Sequence, residues 1–69
     1  MKNKKAPRND AKFWNDTYPV GQPIALTEDD GSLTYTQTRS HAWVLGHGEA
    51  IIKVDGKTGG YLLSRIKAR

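Results

Sequence analysis

Tyr35, Arg39 and Trp43 are the residues of this chain whose types and spacing best suit a binding surface. They fall on odd positions of a threonine- and aromatic-rich stretch, residues 33–44, so on a straight strand they share one face. Aromatic rings flanking a guanidinium suit stacking with unpaired bases. The same residue types dominate protein–protein hot spots. In a domain short of apolar side chains, Tyr35 and Trp43 have a third use, as core. The opposite face is Thr34, Thr36, Thr38, Ser40, Ala42 and Val44. Neither face is cleanly apolar, and a bend near residues 39–41 would let the two halves bury opposite faces.

Catalytic patterns are weak throughout. The chain has two histidines and no cysteine. His41 and His47 alone do not supply the ligand set of a zinc centre, and they read as solvated or turn residues. Asp29 and Asp30 are adjacent carboxylates, but beside Gly31 they read as turn chemistry. Gly46-His47-Gly48 has no helix after it, so it is a hairpin turn and not a phosphate loop. The expectation is a protein that is not an enzyme and holds no metal or cofactor.

Charge is distributed unevenly about a net +4. Lys2, Lys4, Lys5, Arg8 and Lys12 meet only Asp10 at one end, and Arg65, Lys67 and Arg69 meet no carboxylate at the other. Residues 13–64 are acidic: Asp16, Glu28, Asp29, Asp30, Glu49 and Asp55 outnumber Arg39, Lys53 and Lys57. The terminal cations are the expected phosphate contacts, with the salt dependence that counterion release brings. If the two ends lie close together, as is common in small domains, they form one positive pole opposite an acidic body.

The elements that must position these groups are short. A chain of 69 residues makes one domain. Residues 1–12 read as a flexible basic arm and residues 13–69 as a single small β-barrel domain with a basic C-terminal end. Asp10 caps one helical turn over residues 11–15, and Tyr18-Pro19 forces an extended entry. Alternation over Val20, Gln22, Ile24 and Leu26 predicts a strand at residues 23–27, confined by Pro23 to an edge or a strand start. Glu28-Asp29-Asp30-Gly31-Ser32 is a turn. A long strand follows at residues 33–44, then one at 49–54 with Ala50, Ile52 and Val54 inward. The hairpin Asp55-Gly56-Lys57-Thr58-Gly59 requires positive φ at Gly56 or Gly59. A strand at residues 60–64 precedes Ser64-Arg65-Ile66, which ends the fold. Four to five short antiparallel strands with glycine-rich turns predict an all-β small barrel.

No apolar run marks a signal peptide or a membrane helix, so a soluble cytoplasmic protein is expected, with no membrane partner. The apolar set is thin for a domain without disulfides, which suggests a homo-dimer.

The stretch Trp14-Asn15, Tyr18-Pro19-Val20-Gly21, Thr38-Arg39-Ser40, Ala42-Trp43-Val44-Leu45-Gly46, Val54-Asp55-Gly56 and Gly59-Gly60-Tyr61-Leu62-Leu63 resembles a set of very short reading frames of phages, other mobile elements and bacterial chromosomes. The resemblance spans residues 13–66 and implies a bacterial or phage origin. The spacing of strands and turns is also similar to SH3-like small barrels, whose fold hosts nucleic-acid binding, peptide binding and assembly alike. Two functions follow as expectations. One is a nucleic-acid-binding accessory protein of a phage or mobile element. The other is a protein-binding inhibitor or adaptor of a host complex, which would turn Glu28, Asp29, Asp30 and Asp55 toward a basic partner.

Overall fold

The computed structural model describes the backbone of residues 7–46 and 48–69, and side chains from residue 10 onward except His47. Lys2, Lys4, Lys5, His47 and the side chain of Arg8 therefore lie outside the described residues. Helix α1 spans Pro7–Thr17. It begins earlier and runs longer than the single turn expected from Asp10, so the backbone of residues 7–12 is helical. Proline is well placed in a first turn, where its missing N–H would have no helical partner. Ala11, Trp14 and Tyr18 recur at helical spacing on one face. Ala11 and Trp14 are buried, and the half-buried Tyr18 ring lies 4.4 Å from that of Trp14. Lys12 and Asp16 pair on the exposed side at 2.6 Å. The Tyr18 N–H donates to the Trp14 carbonyl at 2.8 Å, after which Pro19 stops the helix.

Six short strands follow: β1 Pro23–Thr27, β2 Leu33–Gln37, β3 Trp43–Val44, β4 Ala50–Ile52, β5 Tyr61–Leu62 and β6 Ile66–Ala68. A 3₁₀ turn, Leu63–Arg65, joins β5 to β6. All pairings are antiparallel, and they form two three-stranded sheets, β2-β1-β6 and β3-β4-β5. The small β fold expected is present, but the sheets do not close into a barrel: they join at one corner, where Thr38 bridges Val54. There the Arg39 N–H donates to the Lys53 carbonyl and the Asp55 N–H to the Gln37 carbonyl, both at 2.9 Å.

Ile24 and Leu26 from the first sheet meet Ile52 from the second and Val54 from the bridge between them, all fully buried. Burying each contributes about 1.5–3 kcal/mol. Ala42, Ala50, Leu63 and Ile66 complete the core, and Trp14 covers it from the helix, which packs on β3 and β4. Ala50, Ile52 and Val54 point inward as their alternation requires.

The long strand breaks into β2 and β3 around the expected bend, but the bend does not exchange faces. Even positions turn inward on both sides of it, with Thr38 and Ala42 buried and Thr34, Thr36 and Val44 half-buried. The threonines can occupy that face because their hydroxyls find partners. Thr34 donates to Glu28, Thr36 to the Asp55 carbonyl, and the Thr38 hydroxyl accepts from the Gly21 and Gln22 N–H groups at 3.0 and 3.2 Å. No buried side-chain nitrogen or oxygen among the described residues lacks a partner.

Candidate nucleic-acid interface

The odd positions of β2 face outward. Leu33 is 52% exposed and Tyr35 60% exposed, so Tyr35 is not core. Trp43 is 38% exposed, also on the surface, but it belongs to the other sheet. The straight strand that would align Tyr35, Arg39 and Trp43 is absent. Arg39 turns back onto the chain: its Nε and Nη2 each donate at 3.1 Å, to the carbonyls of Val54 and Lys57. It braces the 55–59 hairpin against the bend.

Tyr35 acquires different neighbours. Residues 65–69 are not a loose basic end. β6 pairs with β1 with Ala25 opposite Lys67 and Leu26 opposite Ile66, and the Arg69 N–H donates to the Pro23 carbonyl at 3.0 Å. Ile66 and Ala68 turn inward, which puts Lys67 and Arg69 on the outer face. Tyr35 also lies opposite Ala25, so Tyr35, Ala25 and Lys67 form one row across the sheet. Next to it, Gln37, Pro23 and Arg69 form a second row. The Arg69 guanidinium reaches over the Tyr35 ring, 4.3 Å from its centroid. At the other end, Arg65 Nη1 donates to the Thr27 carbonyl at 3.0 Å and meets the exposed Asp29 carboxylate at 3.1 Å. An exposed pair of this kind contributes little.

By side-chain size the outer face of β2-β1-β6 is a shallow trough, crossed at one end where Arg69 reaches over Tyr35. Pro23, Ala25 and Thr27 are its floor, Leu33 and Tyr35 rise on one side, and Arg65, Lys67 and Arg69 on the other. Pro23, Thr27, Leu33, Tyr35, Lys67 and Arg69 are all exposed, so the described residues leave this face open to solvent. Three of the cations expected at phosphates thus share a sheet face with one of the expected aromatics, and one of them, Arg69, contacts it. Lys12 stands apart on the helix, its ammonium stabilised by Asp16, whose hydrogen bond and charge raise its pKa. Arg39 and Trp43 are not brought to the trough.

The acidic turn is occupied internally. Glu28 accepts from Thr34 and pairs with Lys57 at 2.9 Å. The Thr34 hydroxyl, then the Lys57 ammonium, hold the Glu28 carboxyl below its ordinary range, and Glu28 in turn raises Lys57. The Ser32 hydroxyl and N–H donate to Asp30 at 2.7 and 2.9 Å and hold its carboxyl low. The open depression beside the turn is lined by these same groups. No cluster of three or more metal-ligating side chains exists among the described residues, and exposed His41 has no such company.

Among the described residues no helix is long and apolar enough to cross a membrane. No protein-family model, no curated protein and no solved structure matches the chain.

Proposed function

We propose that the chain is a small non-enzymatic nucleic-acid-binding module, an accessory protein of a phage or mobile element acting in the bacterial cytoplasm. One observation carries the reading: on an exposed sheet face the Arg69 guanidinium lies over the exposed Tyr35 ring, with Lys67 in the same register row and Arg65 further along the same strand edge. Cations fix a polyanion while an exposed ring offers a stacking surface. The phage or mobile-element origin rests on the resemblance of the residues from Trp14 to Leu63 quoted above. We also read the architecture as an opened SH3-like barrel. Its support is the bent strand shared by two sheets, the 3₁₀ turn before the last strand, and the pairing of that strand with the first. That fold alone does not select a ligand.

The test is a fluorescence-anisotropy titration with labelled oligonucleotides at several salt concentrations. Each phosphate contact made by Lys2, Lys4, Lys5, Arg8, Lys12, Arg65, Lys67 or Arg69 contributes about 0.7–0.9 to the slope of log affinity against log salt. Lys67→Glu should weaken binding and flatten that slope. Absence of binding by the full chain at low salt ends this reading and leaves the protein-binding inhibitor or adaptor.

A further inference from the structure

We infer that the trough takes single-stranded nucleic acid, with an unpaired base stacked on the Tyr35 and Arg69 pair and the adjoining phosphates along Arg65, Lys67 and Arg69. This rests on the nucleic-acid reading and adds the strand state of the ligand and the residue that meets the base.

Tyr35 keeps 60% of its surface exposed although Arg69 already lies over its ring. Ring surface therefore remains for a second planar group. A guanidinium is itself a stacking plane, so Tyr35 and Arg69 together present a flat, positively charged platform. A duplex hides the faces of its bases inside the stack, whereas a single strand offers them. Pro23, Ala25 and Thr27 on the middle strand are small, which lets Tyr35 and Arg69 lean together across it and form the platform. Lys67 and Arg69 leave an extended strand two residues apart, about 6.6 Å along the backbone, and Arg69 leans toward the Tyr35 row, so both cations flank the phosphate next to a base stacked there. Asp29 shares the charge of Arg65, so Lys67 and Arg69 carry most of the phosphate interaction. A protein partner for the same face would use its aromatic and basic groups without regard to bases, and the test separates the two.

The full chain is titrated against labelled oligo(dT), oligo(U) and a DNA duplex of equal length. Tyr35→Ala should weaken both single strands by between about five- and 150-fold, the range for loss of one stacked base. The salt slope should stay unchanged, because no charge is lost. Tyr35→Trp should retain binding. Lys67→Ala should lower the slope by about 0.7, and the duplex should bind more weakly and ignore Tyr35→Ala. Tyr35→Leu, which keeps apolar bulk without an aromatic face, serves as a second variant should alanine perturb the fold. The preference between oligo(dT) and oligo(U) identifies the source of the strand. If Lys67→Ala weakens binding while Tyr35→Ala and Tyr35→Leu do not, the stacking inference falls and the nucleic-acid reading stands. Equal binding of duplex and single strands, with equal sensitivity to Tyr35, also overturns the inference. If no oligonucleotide binds at low salt, both fall together.

Discussion

Replacing Asn15 by alanine should destabilise the protein more than any other single change on the helix surface. Asn15 meets the backbone of Ala42 at both polar groups: its Nδ2 donates to the Ala42 carbonyl at 2.9 Å, and its Oδ1 accepts from the Ala42 N–H at 2.8 Å. The side-chain amide thus stands where a further strand would pair with the chain entering β3, and it pins α1 to the second sheet. Ala42 is buried, so truncation leaves a backbone donor and acceptor with poor access to water. A made hydrogen bond contributes a net of about 0.5–1.5 kcal/mol, and an unpaired buried group costs about 1–3 kcal/mol. Two such groups, partly rehydrated in the space vacated, give about 2–4 kcal/mol. In a domain of this size each kcal/mol lowers Tm by about 4–8 °C, and total stability is only of the order of 3–10 kcal/mol. Asn15→Asp refines the test. A carboxylate keeps the acceptor for the Ala42 N–H but opposes the Ala42 carbonyl, and protonation restores a donor. The aspartate variant should therefore recover part of its loss relative to the parent as pH falls toward 4, whereas the alanine variant should not. Urea unfolding followed by circular dichroism, with the fluorescence of buried Trp14 as a second probe, measures both. A loss below about 0.5 kcal/mol for Asn15→Ala would show that the clamp does not hold the helix.

Three further outcomes follow from the same geometry. Thr38→Val keeps the buried shape but removes the hydroxyl that the Gly21 and Gln22 N–H groups use as an acceptor beside the Thr38 and Pro19 carbonyls; since both N–H groups keep a carbonyl, it should cost about 0.5–1.5 kcal/mol in chemical denaturation, and a neutral result would discount that corner. Glu28 titrates below its ordinary value of about 4.5 in the fold, so its contribution is complete above that value and is lost as pH falls through the depressed one; Glu28→Gln should be less stable than the parent at pH 6, and the gap should close in acid. Gly56 and Gly59 both have positive φ, 82° and 77°, so alanine at either should cost about 1–2 kcal/mol through backbone strain, although a Cβ there meets no atom within 4 Å; unchanged thermal melts would refute the turn geometry.

What was legible in the sequence was local. β1 sits at the residues its alternation marks, and Asp55-Gly56 and Gly59 turn as a glycine hairpin must. What escaped depended on partners distant along the chain. Arg65-Ile66-Lys67-Ala68-Arg69 alternates at period two, the signature of a strand, but its charges invite reading as a basic tail. Three strand residues are too few to declare themselves without β1 beside them. The helix was hidden because Ala11, Trp14 and Tyr18 make a sparse apolar stripe, and its docking relies on Asn15 reaching 27 residues ahead. Between the two faces of residues 33–44, hydrophobicity alone points the wrong way. It draws Leu33, Tyr35 and Trp43 inward, whereas the fold turns the threonines in, since Glu28, Asp55 and the 21–22 backbone satisfy their hydroxyls. The candidate site was half visible for the same reason: its residues were named, but the pairing that joins Tyr35 to Lys67 and Arg69 is a matter of register.

The outer face of the first sheet bears on partner choice. A domain with so few apolar residues gains from every one it covers, and α1 adds Ala11 and Trp14 to the core that the two sheets share. Leu33 and Tyr35 stay exposed on the first sheet although burial of each would contribute about 1.5–3 kcal/mol. A second copy of the chain is a poor cover for them. A two-fold dimer built on this face would apply the same patch to itself, bringing two sets of Arg65, Lys67 and Arg69 into one interface with Asp29 as the carboxylate close at hand. Like charges brought together in a desolvated interface are strongly unfavourable. A homo-dimer is therefore better built on another surface, and on the proposed reading the trough suits a partner that brings negative charge and flat apolar surface together. Single-stranded nucleic acid carries both in every nucleotide, which is why the proposal gives the cations and the exposed ring one ligand and not two.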